Sequence, residues 1–193
     1  MQPPEEPNDP ALLASVREAV WRRQPVDGRE ARSRDRFLVA LGRLPRPFDQ
    51  DADSTHVTGS ALIFGPRGVV LHRHKRLGIW LQPGGHLEPG EAPWVAARRE
   101  AQEETGLRLD FVELGPGGIP ALAHLDVHAG GRGHIHVDLR YLLAVQGSDE
   151  PDPPPEESQE VRWFGWDEAL GVADPGLAGF LRALGSVAAG GAV

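Results

Sequence analysis

Glu100, Glu103 and Glu104 stand within five positions of one another, directly after Arg98 and Arg99. On an α-helix, side chains at i, i+3 and i+4 share a face, so these carboxylates project together. Like charges at that spacing destabilise a bare helix. A divalent cation offsets the repulsion, and carboxylate oxygens suit Mg²⁺, whose octahedron is completed by waters or substrate phosphates. The competing reading is a solvated acidic face neutralised by Arg98 and Arg99. The loop ahead, "QPGGHLEPGE", carries Gly84, Gly85 and Gly90. Glycine lets backbone approach a ligand closely, and such a loop running into a helix can cradle phosphate on backbone N–H groups. Loop and carboxylates together read as a device for a metal–diphosphate complex.

The elements that must hold this device follow from pattern. Pro93 near a first turn and Gly106 just past the end predict a helix over residues 93–105, with Ala92 a poor N-cap. Upstream, "HVTGSALIF" and "GVVLHRH" are strand-like runs flanking the turn signal "GPRG", and "IWLQPGG" is another extended run. Downstream, "FVEL", "PALAHLDVH", "HIHVDLRYLLAV" and "EVRWFGW" read as strands, and a final helix covers residues 174–188. Near the N-terminus, "ALLASVREAVWRR" has helical spacing with Asp9 as a cap ahead of Pro10. A second helix is expected over residues 29–44, ending before Pro45. Residues 1–10 read as disordered and "LPRPFDQDADS" as a linker. Strands interleaved with helices imply an α/β architecture, a mixed sheet packed between helices.

Composition narrows the classes. A chain of 193 residues can bury a core as one domain with an extension. It has no cysteine, which removes disulfides, thiolate metal sites and cysteine nucleophiles. A net charge of −8 argues against general nucleic-acid binding. No apolar run approaches the ~18 residues that span a bilayer, and "MQPPEEPNDP" lacks the features of a signal peptide, so the expected location is the cytoplasm. Residues 17–46 hold nine arginines against four acids, as a solvated helix face or as a docking surface for anions or a partner. Residues 149–160 hold six acids and no base, as a solvated proline-rich turn or as a loop that presents a catalytic carboxylate.

All eight histidines lie between residues 56 and 136. Strand alternation puts His124, Asp126 and His128 on one face, and likewise His134, His136 and Asp138. A turn centred on Gly131 would face His128 with His134, Asp126 with His136 and His124 with Asp138. Three readings stand: an exposed polar face above an apolar one, a wall of a substrate pocket, or a second metal site. His86 follows the glycine pair and could touch phosphate. Arg73, Arg76 and Arg140 offer bidentate forks to phosphate. Trp80, Trp163 and Trp166 read as core.

Gly85, five residues, Glu91, seven residues, then Arg99-Glu100-Ala101-Gln102-Glu103-Glu104-Thr105-Gly106-Leu107 matches the pattern Gx5Ex7REUxEExGU, where U is aliphatic. In this the chain resembles the Nudix (MutT-like) hydrolases. Ala101 is a small occupant of an aliphatic slot. The resemblance extends more loosely to the preceding strands and to "EVRWFGWDEAL". It implies a Nudix-type α/β/α sandwich with a mixed sheet over residues 51–193. Residues 1–50 would be an N-terminal helical extension that covers a sheet edge, shapes the pocket or supports a homodimer. It implies Mg²⁺ or Mn²⁺ held by Glu100, Glu103 and Glu104 with the Gly84 carbonyl, and Glu91 and Arg99 as orienting residues. The implied reaction is attack of water on a diphosphate bond in a nucleoside diphosphate linked to another moiety. Its general base would be Glu103 in the box, or Glu156 or Glu157 in the acidic loop. Arg73, His86, His136 and Asp138 are the expected contacts to a small nucleotide-like substrate.

Finer signatures do not appear. There is no "SQPW" array after the box and no coenzyme A motif upstream, and Pro120 lies too close to the box for an ADP-ribose signature. The isomerases that share this fold rely on a cysteine, which the chain lacks. The alternative to an enzyme is a catalytically silent nucleotide-binding module; the intact box carboxylates favour the enzyme.

Overall fold

The computed structural model describes residues 9–190. In chain order the elements are α1 (Pro10–Arg22), α2 (Gly28–Leu41), β1 (Thr55–Gly65), β2 (Gly68–Arg73), β3 (Trp80–Leu81), β4 (Gly84–His86) and α3 (Pro93–Thr105). There follow β5 (Leu109–Phe111), β6 (His124–Ala129), β7 (Ile135–Val145), β8 (Val161–Phe164), α4 (Trp166–Val172) and α5 (Pro175–Gly190). Among the described residues no helix is long and apolar enough to cross a membrane.

The parallel pair β1–β7 forms the centre of one mixed sheet, in register over nine positions from Thr55↔Ile135 to Ile63↔Leu143. The outer edge of β1 is shared by β4, from Thr58↔His86 to Ser60↔Gly84, and by β2, from Ile63↔Val70 to Gly65↔Gly68. The outer edge of β7 is shared by β6 and β5. Strands β3 and β8 complete the sheet beside β2. On one face α1, α2 and α3 pack over Val57, Leu125, Val137, Leu139 and Tyr141. On the other, α4 and α5 bury Ala169, Leu177, Phe180 and Leu181 against Leu62, Leu71 and Phe164. This is an α/β/α sandwich. Trp80, Trp163 and Trp166 join its apolar clusters, as read from the sequence.

Local chemistry sets the helix ends. The Asp9 carboxylate accepts from Ala11 N, and Pro10 opens α1. Asp27 accepts from Arg29 N and Glu30 N at 2.8 Å to start α2. That helix stops at Leu41, short of the expected residue 44, where Arg43 N and Leu44 N both turn to the Ala40 carbonyl at 2.9 Å. Gly106, at φ 70°, ends α3. The C-terminal helix expected over residues 174–188 is α5, and a short helix not expected from the sequence, α4, precedes it where Trp166 reads as the end of a strand. Asp174 Oδ1 accepts from Gly176 N and Leu177 N and caps α5 at Pro175, so "WDEAL" forms the separate α4. The expected disorder of residues 1–10 falls, except for Asp9 and Pro10, outside the described residues.

Two further expectations change. "IWLQPGG" makes two short strands rather than one. The stretch read as a linker is bound to the sheet: Pro47 O accepts from Val57 N at 2.7 Å and Phe48 packs on the core.

The histidine hairpin is displaced by two residues from the expected register. Its pairs are His128↔His136, Asp126↔Asp138 and His124↔Arg140. The reason is the turn. Gly130 N donates to His134 O across a 3-10 segment at Gly131–Gly133, so the loop centres on residue 132. A two-residue shift keeps each side chain on its expected face. Much of the face is buried, not exposed: His124, Asp126, Asp138 and Arg140 are each at most 3% accessible, whereas His128, His134 and His136 are half-buried. Phe180 of α5 stacks on His124 at 4.8 Å.

The N-terminal extension closes this region. Leu125 N donates to Glu30 Oε1 at 3.2 Å and Val127 N to Ser33 Oγ at 3.1 Å, so α2 satisfies the outer edge of β6. Glu30, fully buried, also accepts from Arg23 Nε at 2.7 Å and Val26 N at 2.6 Å. Arg29 grips Asp126 with both fork nitrogens, at 2.8 and 2.9 Å. Burial alone would raise the Asp126 pKa; His128, Arg29 and Arg140 outweigh it and hold the carboxyl well below the usual carboxylate range.

A depressed folded-state pKa contributes stability that is present above the unfolded value of ~3.9 and is lost as pH falls through the folded value. Arg29→Ala raises that folded value. Acid unfolding of the variant, followed by circular dichroism, therefore begins at higher pH, and its stability at pH 7 falls by about 1–3 kcal/mol in urea. An unchanged acid midpoint would assign the docking of α2 to apolar contacts alone.

Candidate active site

The carboxylates of α3 reach the sheet through two close approaches. Gly59 on β1 is the first: a Cβ there would strike the Pro93 carbonyl and lie 3.0 Å from Ala97 N. Without it, Ala97 and Ala101 stack α3 directly on the strand. Ala101 is thus a buried contact, and its small size suits the short distance. The second is Gly85 on β4, where a Cβ would stand 2.5 Å from Glu100 Oε1. Glu100 therefore lies against bare backbone.

Glu104 turns the same way. Its Oε2 accepts from Gly84 N at 2.9 Å, and its Oε1 lies 3.6 Å from His72 Nδ1. Glu103 faces outward, with its side chain 52% accessible. It borders a shallow hollow of about 320 Å³ on the outer face of α3, lined by Val95, Arg98, Arg99 and Gln102.

Arg99 links loop to helix. Its Nε and Nη2 each reach a Glu91 oxygen at 2.9 Å, Nη2 reaches His86 O at 3.0 Å, and Nη1 reaches Glu100 at 2.9 Å and Glu103 at 3.1 Å. Glu91 also accepts from Glu88 N at 2.9 Å. Burial opposes the charge on Glu91, but Arg99 and Glu88 N hold its pKa below the ordinary value. Burial raises Glu100 despite Arg99. Glu104 is pushed up to about 8, first by burial and then by Glu100, Glu157 and Glu103, against the Gly84 hydrogen bond. A divalent cation would reverse that trend, because its charge favours the anionic form of each donor. The donor set is all oxygen and fits a hard ion. Among the described residues, however, the trio with donor atoms within 4.8 Å of one another is His56, His134 and His136, not the three glutamates, two of which share Arg99 Nη1.

The other expected residues fall into different settings. Glu157 is half-buried and near enough to Glu104 to raise it, whereas Glu156 is exposed. Arg73 lies at the surface and bonds Glu160 at 3.0 and 3.1 Å. His86 and His136 have ring centroids 5.1 Å apart. Asp138 is buried and accepts from Thr58 Oγ1, Ser60 Oγ, Gln82 Nε2 and Arg140 Nε, at 3.1, 2.7, 3.4 and 2.9 Å. Arg140, 1% accessible, is occupied by Asp138 and His124 rather than offered to a phosphate. Arg76 is exposed, and its guanidinium reaches the backbone of Gly131.

Sequence reasoning missed His72, which burial holds near a pKa of about 4, neutral beside Glu104. The available signal was an ionisable residue ending the apolar run Val69–Leu71. It also missed His56, Thr58 and Ser60, which alternate along β1 toward the same polar face as Asp138.

A profile for the NUDIX domain matches residues 54–184. The isopentenyl-diphosphate Delta-isomerase of Streptomyces griseus is 31% identical over 113 residues, which cover 55% of this chain and 55% of that protein. The asymmetrical bis(5'-nucleosyl)-tetraphosphatase of Rattus norvegicus is 32% identical over 105 residues, 54% of this chain and 68% of that protein. The chain therefore spans only about half the length of the first of these relatives. The crystal structure of a NUDIX-family hydrolase from Clostridium perfringens matches with a TM-score of 0.57 at 28% identity, covering 68% of this chain and 97% of that one. With the box, the sandwich and a profile match over most of its length in agreement, the chain belongs to the NUDIX family.

Proposed function

We propose that the chain is a divalent-metal-dependent pyrophosphohydrolase, which uses water to cleave a diphosphate bond in a nucleoside diphosphate linked to another moiety. The observation that carries this reading is the placement of Glu100 and Glu104. Both carboxylates are half-buried against the Gly84–Gly85 backbone, beside a half-buried Glu157. A merely solvated helix face would turn them to water. The name of the rat relative, a bis(5'-nucleosyl)-tetraphosphatase, supports a nucleotide substrate. The isomerase relative suggests other chemistry, but the chain has no cysteine to support it.

Glu100, Glu103, Glu104 and the Gly84 carbonyl would hold Mg²⁺ or Mn²⁺. When bound, the ion supplies charge for the phosphoryl oxygens and lowers the pKa of water. Arg99 and Glu91 fix the loop to the helix, so the carboxylates enter the reaction already positioned. Glu157 takes the proton from the attacking water. It approaches Glu104 and, among the described residues, has no arginine partner of the kind that engages Glu103. Asp138 acts indirectly. Its oxygens are filled by Thr58, Ser60, Gln82 and Arg140, so it orders the pocket floor rather than touching substrate. Arg73 lies at the rim and can exchange Glu160 for a phosphate.

A screen of nucleoside triphosphates, nucleotide sugars, dinucleoside polyphosphates and oxidised nucleotides with Mg²⁺ or Mn²⁺ tests the reading. Glu104→Gln lowers kcat on the best substrate by about 10²-fold or more while leaving the melting temperature intact or raised, since it removes a carboxyl whose charge is poorly compensated. Should no compound turn over, the chain is a binding module.

The base assignment has its own test. Glu157→Gln lowers kcat by about 10²- to 10⁴-fold and abolishes the acidic limb of the pH profile. Glu103→Gln leaves that limb in place; loss of the limb in Glu103→Gln alone would move the base into the box.

A further inference from the structure

We propose that His56, His134, His136 and His86 form a second metal site, separate from the glutamates of α3 and built for a borderline divalent transition ion such as Zn²⁺. The strand register brings them together. His56 of β1 pairs directly with His136 of β7, His134 leads into β7, and His86 ends β4 opposite Thr58. One donor atom from each of His56, His134 and His136 lies within 4.8 Å of the others. The His56 ring centroid stands 5.0 Å from that of His86 and 5.1 Å from those of His134 and His136.

Two buried nitrogens favour a cation at this cluster. His56 is fully buried, and its Nδ1 lies 3.2 Å from the Asp53 carbonyl. A carbonyl can only accept, so Nδ1 carries the proton and Nε2 is left with a lone pair. That Nε2 is buried without a partner, and so is His86 Nε2. Leaving a buried polar atom unpaired is unfavourable, and two in one cluster of imidazoles have a common remedy in a cation. Donation of the second ring N–H to a backbone carbonyl is also the arrangement that orients metal-bound histidines.

The chemistry selects the ion. Neutral imidazoles without carboxylate favour Zn²⁺, Cu²⁺, Ni²⁺ or Fe²⁺ over Mg²⁺. A tetrahedral ion at ~2.1 Å from each nitrogen sets the nitrogens about 3.4 Å apart, so small ring rotations close the site. The site sits at the end of the glycine loop. An ion held there fixes His86, whose carbonyl accepts from Arg99.

The test is metal binding by the full chain, independent of hydrolysis. Chelator-treated protein is dialysed against Zn²⁺ with Mg²⁺ in excess, and bound zinc is measured by mass spectrometry; Co²⁺ substitution reports coordination by visible absorption. The wild-type chain and Glu104→Gln should each retain about one equivalent of zinc with the intense Co²⁺ bands of a four-coordinate site. His134→Ala, at a half-exposed position, should fold normally by circular dichroism and lose about 10- to 100-fold or more in zinc affinity. Zinc absent from the wild-type chain, zinc held equally by His134→Ala, or zinc lost with Glu104→Gln would each overturn the assignment. Since none of these readings involves turnover, failure of the pyrophosphohydrolase reading would leave this one standing.

Discussion

The site depends on the Arg99 guanidinium. It is the cation around which Glu91, Glu100 and Glu103 assemble, and its remaining capacity holds the His86 carbonyl. Glutamates this close repel one another, and a point charge would satisfy only one of them. A planar fork engages several acceptors in fixed directions. That geometry ties the glycine loop to α3, so backbone and carboxylates share one frame. Glu104 lies beyond the fork's reach and leans on Gly84 N–H instead. The arrangement leaves a half-buried, poorly compensated carboxylate where a divalent cation is most stabilising.

A second network crosses the opposite half of the sheet. Side chains from β6, β7 and β1 form three polar rows: His124, Arg140 and Ser60; Asp126, Asp138 and Thr58; His128, His136 and His56. The first two rows are buried and internally satisfied, with Arg140 and Arg29 neutralising Asp138 and Asp126. The third holds unpaired imidazole nitrogens. Polarity inside a sheet is costly unless each group finds a partner, so the network is rigid at one end and receptive at the other. The extension takes part through Glu30, Ser33 and Arg29. It shares the core of the sheet, with Val16, Val20 and Phe37 packed among Val57, Leu125 and Leu139.

Much of this was legible in the residues, because it depends on short-range chemistry. The spacing of Glu100, Glu103 and Glu104 on α3, the Gly106 cap and the alternation along β6 and β7 are properties of neighbouring residues. The pairing of Glu91 with Arg99 came from the family pattern, and the structure shows it at 2.9 Å. The errors arose where distant contacts decide. The hairpin register turned on a one-residue shift in the centre of a loop of unchanged length, and α4 was missed because Trp166, read as strand, opens a helix. The exposure of the histidine face could not be read from alternation, since a polar face beneath two helices has the same pattern as one facing water.

By itself, then, the sequence determined the box, its helix, the family and the character of each strand face, since periodicity and motif spacing are local. Only the tertiary structure decided which polar groups are buried, which arginines are occupied and which histidines meet. His56, His86 and His136 come from three strands and His134 from the loop before β7, separated by up to eighty positions. They converge because a parallel β1–β7 pair sets their register, and that pairing is a contact between segments which no local pattern encodes.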